Sequence, residues 1–152
     1  MARDVIIVGA GIGGLSAAAV LLQRGHRVRV FEQAPALGEI GAGIQISANA
    51  SRVLHALGLE AALGRTAVTP TAQHFRLYES GDLVQEIPLG EAHERSHGAK
   101  YYHLHRADLH AVLAARVREL DPEAVDGDQP LGAQPRDQIG RASCRERVCL
   151  VV

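Results

Sequence analysis

The feature that most constrains this chain is the run Gly9-Ala10-Gly11-Ile12-Gly13-Gly14, set directly behind the apolar segment Asp4–Val8. DVIIV is short, β-branched and closed by glycine, which reads as a buried strand of a parallel sheet. In the spacing Gly-x-Gly-x-x-Gly each glycine has a separate steric task. Gly9 permits the tight turn out of the strand. Gly11 lacks a Cβ, so a phosphate can approach the backbone. Gly14 lets the following helix lie close to the sheet. Residues 15–24 (LSAAAVLLQR) follow as that helix, with Leu15, Ala18, Ala19 and Leu22 on one side and Gly25 as its stop. Arg27–Phe31 alternates basic and apolar residues and reads as a second strand. Strand, glycine turn, helix and strand make a βαβ unit.

Such a unit presents unbonded N–H groups and a positive helix end to an anion. Glu32 closes the second strand, 18 residues after Gly14. A carboxylate there can accept hydrogen bonds from ribose hydroxyls and repels a 2′-phosphate. A dinucleotide without that phosphate is therefore expected, FAD or NAD rather than NADP. The motif leaves FAD and NAD equally open.

Residues 33–47 (QAPALGEIGAGIQIS) read as a long loop, with Ser47 as N-cap of a helix over 48–57 that Gly58 can close. A short helix is expected over 59–64. Residues 73–79 and 83–87 read as paired strands around the turn Ser80-Gly81-Asp82. Their polarity suits an exposed hairpin insertion. Residues 91–100 (EAHERSHGAK) read as a polar loop, and 101–104 as a short strand. Arg106–Leu120 is a second clear helix, with Leu109, Val112, Leu113, Val117 and Leu120 at helical spacing.

Composition narrows the function classes. Sixteen basic and seventeen acidic residues leave a net charge of -1, which argues against a nucleic-acid surface. Aromatics are 3% with no Trp, so base stacking is not expected. No apolar run reaches bilayer-spanning length and no secretory leader is visible, so no membrane insertion and a cytoplasmic location are expected. Among eight histidines, His93 and His97 would meet on a helix, and His103 and His105 share a strand face. His26, His55, His74 and His110 carry no ligand pattern. Without HExxH or Cys-His spacing, no metal site is expected.

The C-terminal end differs in character. Residues 121–138 are rich in Asp, Gly, Pro and Gln and read as irregular, in part out of frame. Residues 139–148 (IGRASCRERV) resemble one reading frame of a common short-read sequencing adapter. The expectation is a non-native tail over 139–152. Both cysteines, Cys144 and Cys149, lie in it, which leaves residues 1–138 without a thiol.

Three segments in order carry a family resemblance: VIIVGAGIGGLSAAAVLLQRGHRVRVFEQ (5–33), GEIGAGIQISANASRVLHALGL (38–59) and YYHLHRADLHAVL (101–113). They resemble the N-terminal part of class A FAD-dependent aromatic monooxygenases, near the salicylate and 3-hydroxybenzoate 6-hydroxylases. The fold implied is α/β: an incomplete Rossmann-like FAD/NAD(P)-binding domain with a βαβ start and a hairpin insertion. Its N-terminal part would occupy residues 1–120. The resemblance assigns Gly9, Gly11 and Gly14 to the FAD pyrophosphate, and Glu32, with Gln33 beside it, to the adenosine ribose. It runs Gly41, Ala42, Gly43, Ile44 and Gln45 past the flavin. Asn49 and Arg52 would support that loop and the cofactor, and Arg106 would reach the FAD. A cation at a helix start opposes the dipole unless an anion answers it.

The activity implied is hydroxylation of an aromatic acid such as a hydroxybenzoate, with NAD(P)H reducing FAD and O2 supplying the oxygen. Partners would be a small aromatic substrate, O2 and NAD(P)H, with a homodimer for a full-length enzyme. The family's second FAD motif, a Gly-Asp pair, is matched only superficially at Asp126-Gly127-Asp128. The alternatives are another FAD-dependent oxidoreductase of the same fold, or a catalytically inactive, truncated FAD-binding module.

Overall fold

The computed structural model describes residues 1–34, 43–125 and 147–151. Gly41 and Ala42, the Asp126-Gly127-Asp128 run and most of 139–148 lie outside these residues. The chain divides into two units, Met1–Ile40 with Ala107–Val152, and Gly41–Arg106.

In the first unit, β1 (Asp4–Val8) is central to a three-stranded sheet ordered β2-β1-β7. β2 is Arg27–Phe31 and β7 is Arg147–Val151, both parallel to β1. Val5, Ile7, Val28 and Val30 are buried, while Arg27 and Arg29 point to water, so strand alternation sets the inner face. Arg27 also pairs with Asp4 at 2.6 Å on the surface, where such a pair adds little. Val30 N–H donates to the Ala124 carbonyl at 2.7 Å, which tethers the segment around residue 124 to β2. The helix expected from residue 15 is α1, Ile12–Gln23. It starts earlier because its first turn is made of the glycine motif itself. Gly25, at φ 78°, follows the helix end as expected. α5 (Arg106–Leu120) has the expected bounds and buries Leu109, His110, Leu113, Ala114 and Val117.

No element was expected after Leu120, whereas Arg147–Val151 forms β7. A short apolar run placed against a strand edge needs only backbone groups to pair. This pairing therefore carries no information about the origin of residues 139–152.

The second unit holds α2 (Ala48–Ala56) and α3 (Glu60–Thr66). Gly43–Ile46 (β3) pairs antiparallel with Tyr102–His105 (β6). The end of the expected loop is thus a strand, because Ile44 and Ile46 alternate with polar neighbours opposite Leu104 and Tyr102. The hairpin is present as Ala72–Arg76 (β4) and Leu83–Pro88 (β5), with a register shift at Phe75/Arg76. Residues 91–100 hold a helix rather than a loop, α4 (Glu91–His97). Glu91 and Glu94 sit in its first turn, Arg95 and His97 in its last, and Gly98 at φ 73° ends it. Among the described residues no helix is long and apolar enough to cross a membrane.

Ile7 has no exposed surface. Ile7→Ala should cost about 2–5 kcal/mol in chemical denaturation. Phe75→Ser, on the exposed hairpin, should stay within about 0.5 kcal/mol of the parent.

Candidate functional site

The glycine motif and Glu32 converge in the first unit. The turn out of β1 takes Gly9 to φ 103°, a conformation that side chains disfavour. Gly9 N–H donates to the Phe31 carbonyl at 2.8 Å, which ties the turn to the end of β2. A Cβ on Gly14 would fall on the Gly9 carbonyl oxygen and would lie in van der Waals contact with the Ile7 side chain. Helix and turn are in contact there, and only hydrogen fits between them.

α1 begins with Gly11 as its N-cap, and no side chain caps it. Leu15 N–H closes the first helical bond to the Gly11 carbonyl at 2.9 Å. The N–H groups of the preceding first-turn residues lack intrahelical acceptors, and they carry the positive end of the helix dipole. No acidic residue lies in that turn to neutralise it. Backbone N–H groups left open in this way can bind an anion such as a pyrophosphate.

Glu32 bridges the two sides of the turn. Its Oε2 accepts the Ala10 N–H at 2.7 Å and its Oε1 accepts the Ala34 N–H at 2.9 Å. The Ala34 bond, then the Ala10 bond, hold its carboxyl below the usual glutamate range; partial burial opposes them. A carboxylate has about four acceptor positions, so acceptor capacity remains on Glu32 beyond these two bonds. Gln33, next along, is exposed. The Ala10 carbonyl accepts a hydrogen bond from His110 Nε2 at 2.7 Å. That buried contact is a feature the sequence reading misses. Its only signal is a histidine on the apolar face of α5, between Leu109 and Leu113.

The remaining expected residues belong to the second unit. Gly43 and Gln45 are exposed on β3, and Ile44 is half-buried. Gln45 Oε1 accepts from the Tyr101 hydroxyl at 2.9 Å. Asn49 is hydrogen-bonded to the Ser47 hydroxyl, so Ser47 occupies the N-cap position without bonding the helix backbone. Arg52 Nη1 donates to the His97 carbonyl at 2.6 Å and so holds the last turn of α4. Arg106 is exposed at the first position of α5.

His93 and His97 do meet, stacked at 4.2 Å, with Tyr101 edge-on to His93 at 5.6 Å. Burial, then the neighbouring His97, push the His93 imidazole pKa down. Among the described residues no group of three or more His, Cys, Asp or Glu side chains is placed to hold a metal ion.

Gly14→Ala should destabilise the chain by about 2–3 kcal/mol in denaturant titration, because the clash is with backbone. Glu32 gives a pH signature. Its folded pKa is depressed, so its stabilisation is complete above the ordinary glutamate pKa and is lost as pH falls through the folded value. The stability gap between the parent and Glu32→Gln should therefore close on acidification from about pH 6 to pH 3, as read by denaturant midpoints.

Comparison with known proteins places this geometry. Residues 4–148 match the family model described as FAD dependent oxidoreductase. The chain is 42% identical over 121 residues to 6-hydroxynicotinate 3-monooxygenase from Pseudomonas fluorescens, covering 80% of this chain and 30% of that protein. It is 48% identical over 115 residues to 3-amino-4-hydroxybenzoate 2-monooxygenase from Streptomyces cremeus, covering 74% of this chain and 29% of that one. Among solved structures it is similar to the tetrameric form of 2-methyl-3-hydroxypyridine-5-carboxylic acid oxygenase. That match has TM-score 0.70 and 28% identity, over 82% of this chain and 31% of that one. The chain thus spans under a third of the length of each of these proteins. With a glycine turn packed against its helix, an uncapped helix start and a carboxylate at the end of the second strand, this chain belongs to the FAD dependent oxidoreductase family.

Proposed function

We propose that the chain is the FAD-binding part of a monooxygenase that hydroxylates an aromatic acid, using NAD(P)H and O2. The observation that carries this is the uncapped start of α1 behind Gly9 and Gly11, with the Glu32 carboxylate fixed beside the same turn. The substrate class is a hydroxylated aromatic carboxylate. Each of the three similar proteins above is named for such a compound, a hydroxybenzoate or a hydroxypyridine carboxylate.

Bound FAD would supply the redox chemistry, taking electrons from NAD(P)H and passing them to O2. The protein's own part is to bind and orient. The first-turn N–H groups of α1 neutralise pyrophosphate charge without a mobile cation. Gly11 leaves the backbone open to it. The free acceptor positions of Glu32 take ribose hydroxyls and disfavour a 2′-phosphate. Gln33 adjoins that ribose contact. The family resemblance extends the cofactor set to Gly43, Ile44, Arg52 and Arg106. The assignment of Arg106 is supported by its place at a helix start, where an anion relieves the unfavourable dipole. No catalytic side chain is assigned.

The division at residues 120 and 138, the adapter origin of 139–148 and the non-native character of the tail 139–152 belong to the same proposal. So do a cytoplasmic location and a homodimer for the full-length enzyme. Sequencing the coding DNA from codon 115 onward tests the first three.

The functional test is a purified full-length protein incubated with FAD, NAD(P)H and a panel of hydroxylated aromatic carboxylates. Flavin absorbance should co-purify or reconstitute. NAD(P)H oxidation should rise with the right acid, and the product should carry one atom from isotopically labelled O2. NAD(P)H oxidation without oxygen insertion would assign the chain to another oxidoreductase of this fold. Failure to bind FAD would overturn the proposal altogether.

A further inference from the structure

We propose that His110 is a positioning residue for the cofactor loop, clamping the Ala10 peptide so that the Gly11 N–H faces the pyrophosphate. This rests on the FAD-binding reading above. Ala10 lies between the first two glycines of the motif, and it is 1% exposed. Both of its backbone polar groups end on side chains from distant parts of the chain. Its N–H goes to Glu32 Oε2, and its carbonyl takes the His110 Nε2–H, both at 2.7 Å.

The peptide plane makes these two bonds directional. No peptide bond in the described residues is cis. In a trans peptide the carbonyl of one residue and the N–H of the next point in opposite directions. Glu32 holds the N–H of the Gly9–Ala10 plane, so the Gly9 carbonyl points the other way, against the hydrogen of Gly14. His110 holds the carbonyl of the Ala10–Gly11 plane, so the Gly11 N–H points away from α5. That N–H is the first of the donors left over at the start of α1. Glycines on both sides of Ala10 make these planes easy to rotate. Two anchors, one part-buried and one buried, remove that freedom before any ligand arrives, which is how a preorganised site gains affinity.

A carbonyl can only accept, so the geometry requires the Nε2–H tautomer of His110. The ring is 5% exposed and sits one turn from Leu113 and two from Val117 on the buried face of α5. Its place in the core is thus fixed by apolar packing, and its polar atom is aimed at the loop.

The test uses the full-length protein and reads FAD affinity by flavin fluorescence. His110→Leu should weaken FAD binding by about tenfold, the equivalent of one hydrogen bond. His110→Gln places a donor at a similar reach and should restore most of that affinity. Val117→Ala lowers stability from the same helix face without touching the loop, and its FAD affinity should stay within about twofold of the parent. Nitrogen NMR of the labelled parent should show His110 protonated at Nε2, a readout independent of any variant's folding. Unchanged affinity in His110→Leu, no rescue by Gln, an equal loss in Val117→Ala, or a ring protonated at Nδ1 alone would each overturn the proposal. A parent protein that fails to bind FAD at all would instead sink the reading on which it rests.

Discussion

The distance between α1 and the turn that precedes it governs the rest of the first unit. A Cβ at Gly14 would fall on the Gly9 carbonyl, so the helix start lies against the turn with room only for hydrogen. That approach brings the start of α1 directly above the end of β1. The ends of β1 and β2 are in register, Val8 opposite Phe31, so the carboxylate that follows Phe31 arrives beside the same turn. Two glycines in the first turn of a helix, Gly13 and Gly14, are poor helix formers by themselves. They are tolerated because packing of Leu15, Ala18 and Ala19, all without exposed surface, offsets the weak propensity.

Charge and hydrogen bonding then divide the work at the turn. A carboxylate would ordinarily be unwelcome near an anion. Here Glu32 is occupied by two backbone N–H donors, and its charge is spread into the loop. The donors at the start of α1 are backbone dipoles, which need no counter-charge and cannot swing away. The glycine turn and the carboxylate beside it are therefore held by one short network: Phe31 carbonyl, Gly9, Ala10, Glu32 and Ala34.

Much of this was legible in the residues because it depends on local chemistry. Gly9, Gly11 and Gly14 have spacing that one backbone geometry demands, and the apolar face of Arg106–Leu120 repeats at helical period. The βαβ start and both of its strands follow from the same local patterns. Other features depend on contacts remote in sequence. α4 is short and polar, and its last turn is held by Arg52, 45 residues away from His97. β3 looks like loop until β6 provides its ladder. The bond from His110 to Ala10 spans 100 residues, and nothing in the local pattern marks it. The place of Glu32 at the end of the second strand is legible by position. Its bond to the Ala10 N–H is not, because it requires the turn's actual conformation.

The β4–β5 ribbon stands apart in its energetics. Every residue of β5 is exposed, and β4 buries none fully. A two-stranded ribbon without a covered face has almost no hydrophobic stabilisation of its own. Its base is held where Leu89 and Gly90 N–H both donate to the Thr71 carbonyl, at 2.9 and 3.0 Å. Beyond that anchor the strands are joined by cross-strand bonds in contact with water. The ribbon can therefore open and reclose as a small cooperative piece while β1 and α1 stay folded. Its amides would exchange with solvent through that local opening, and those of Val5 and Ile7 only through far larger excursions of the chain.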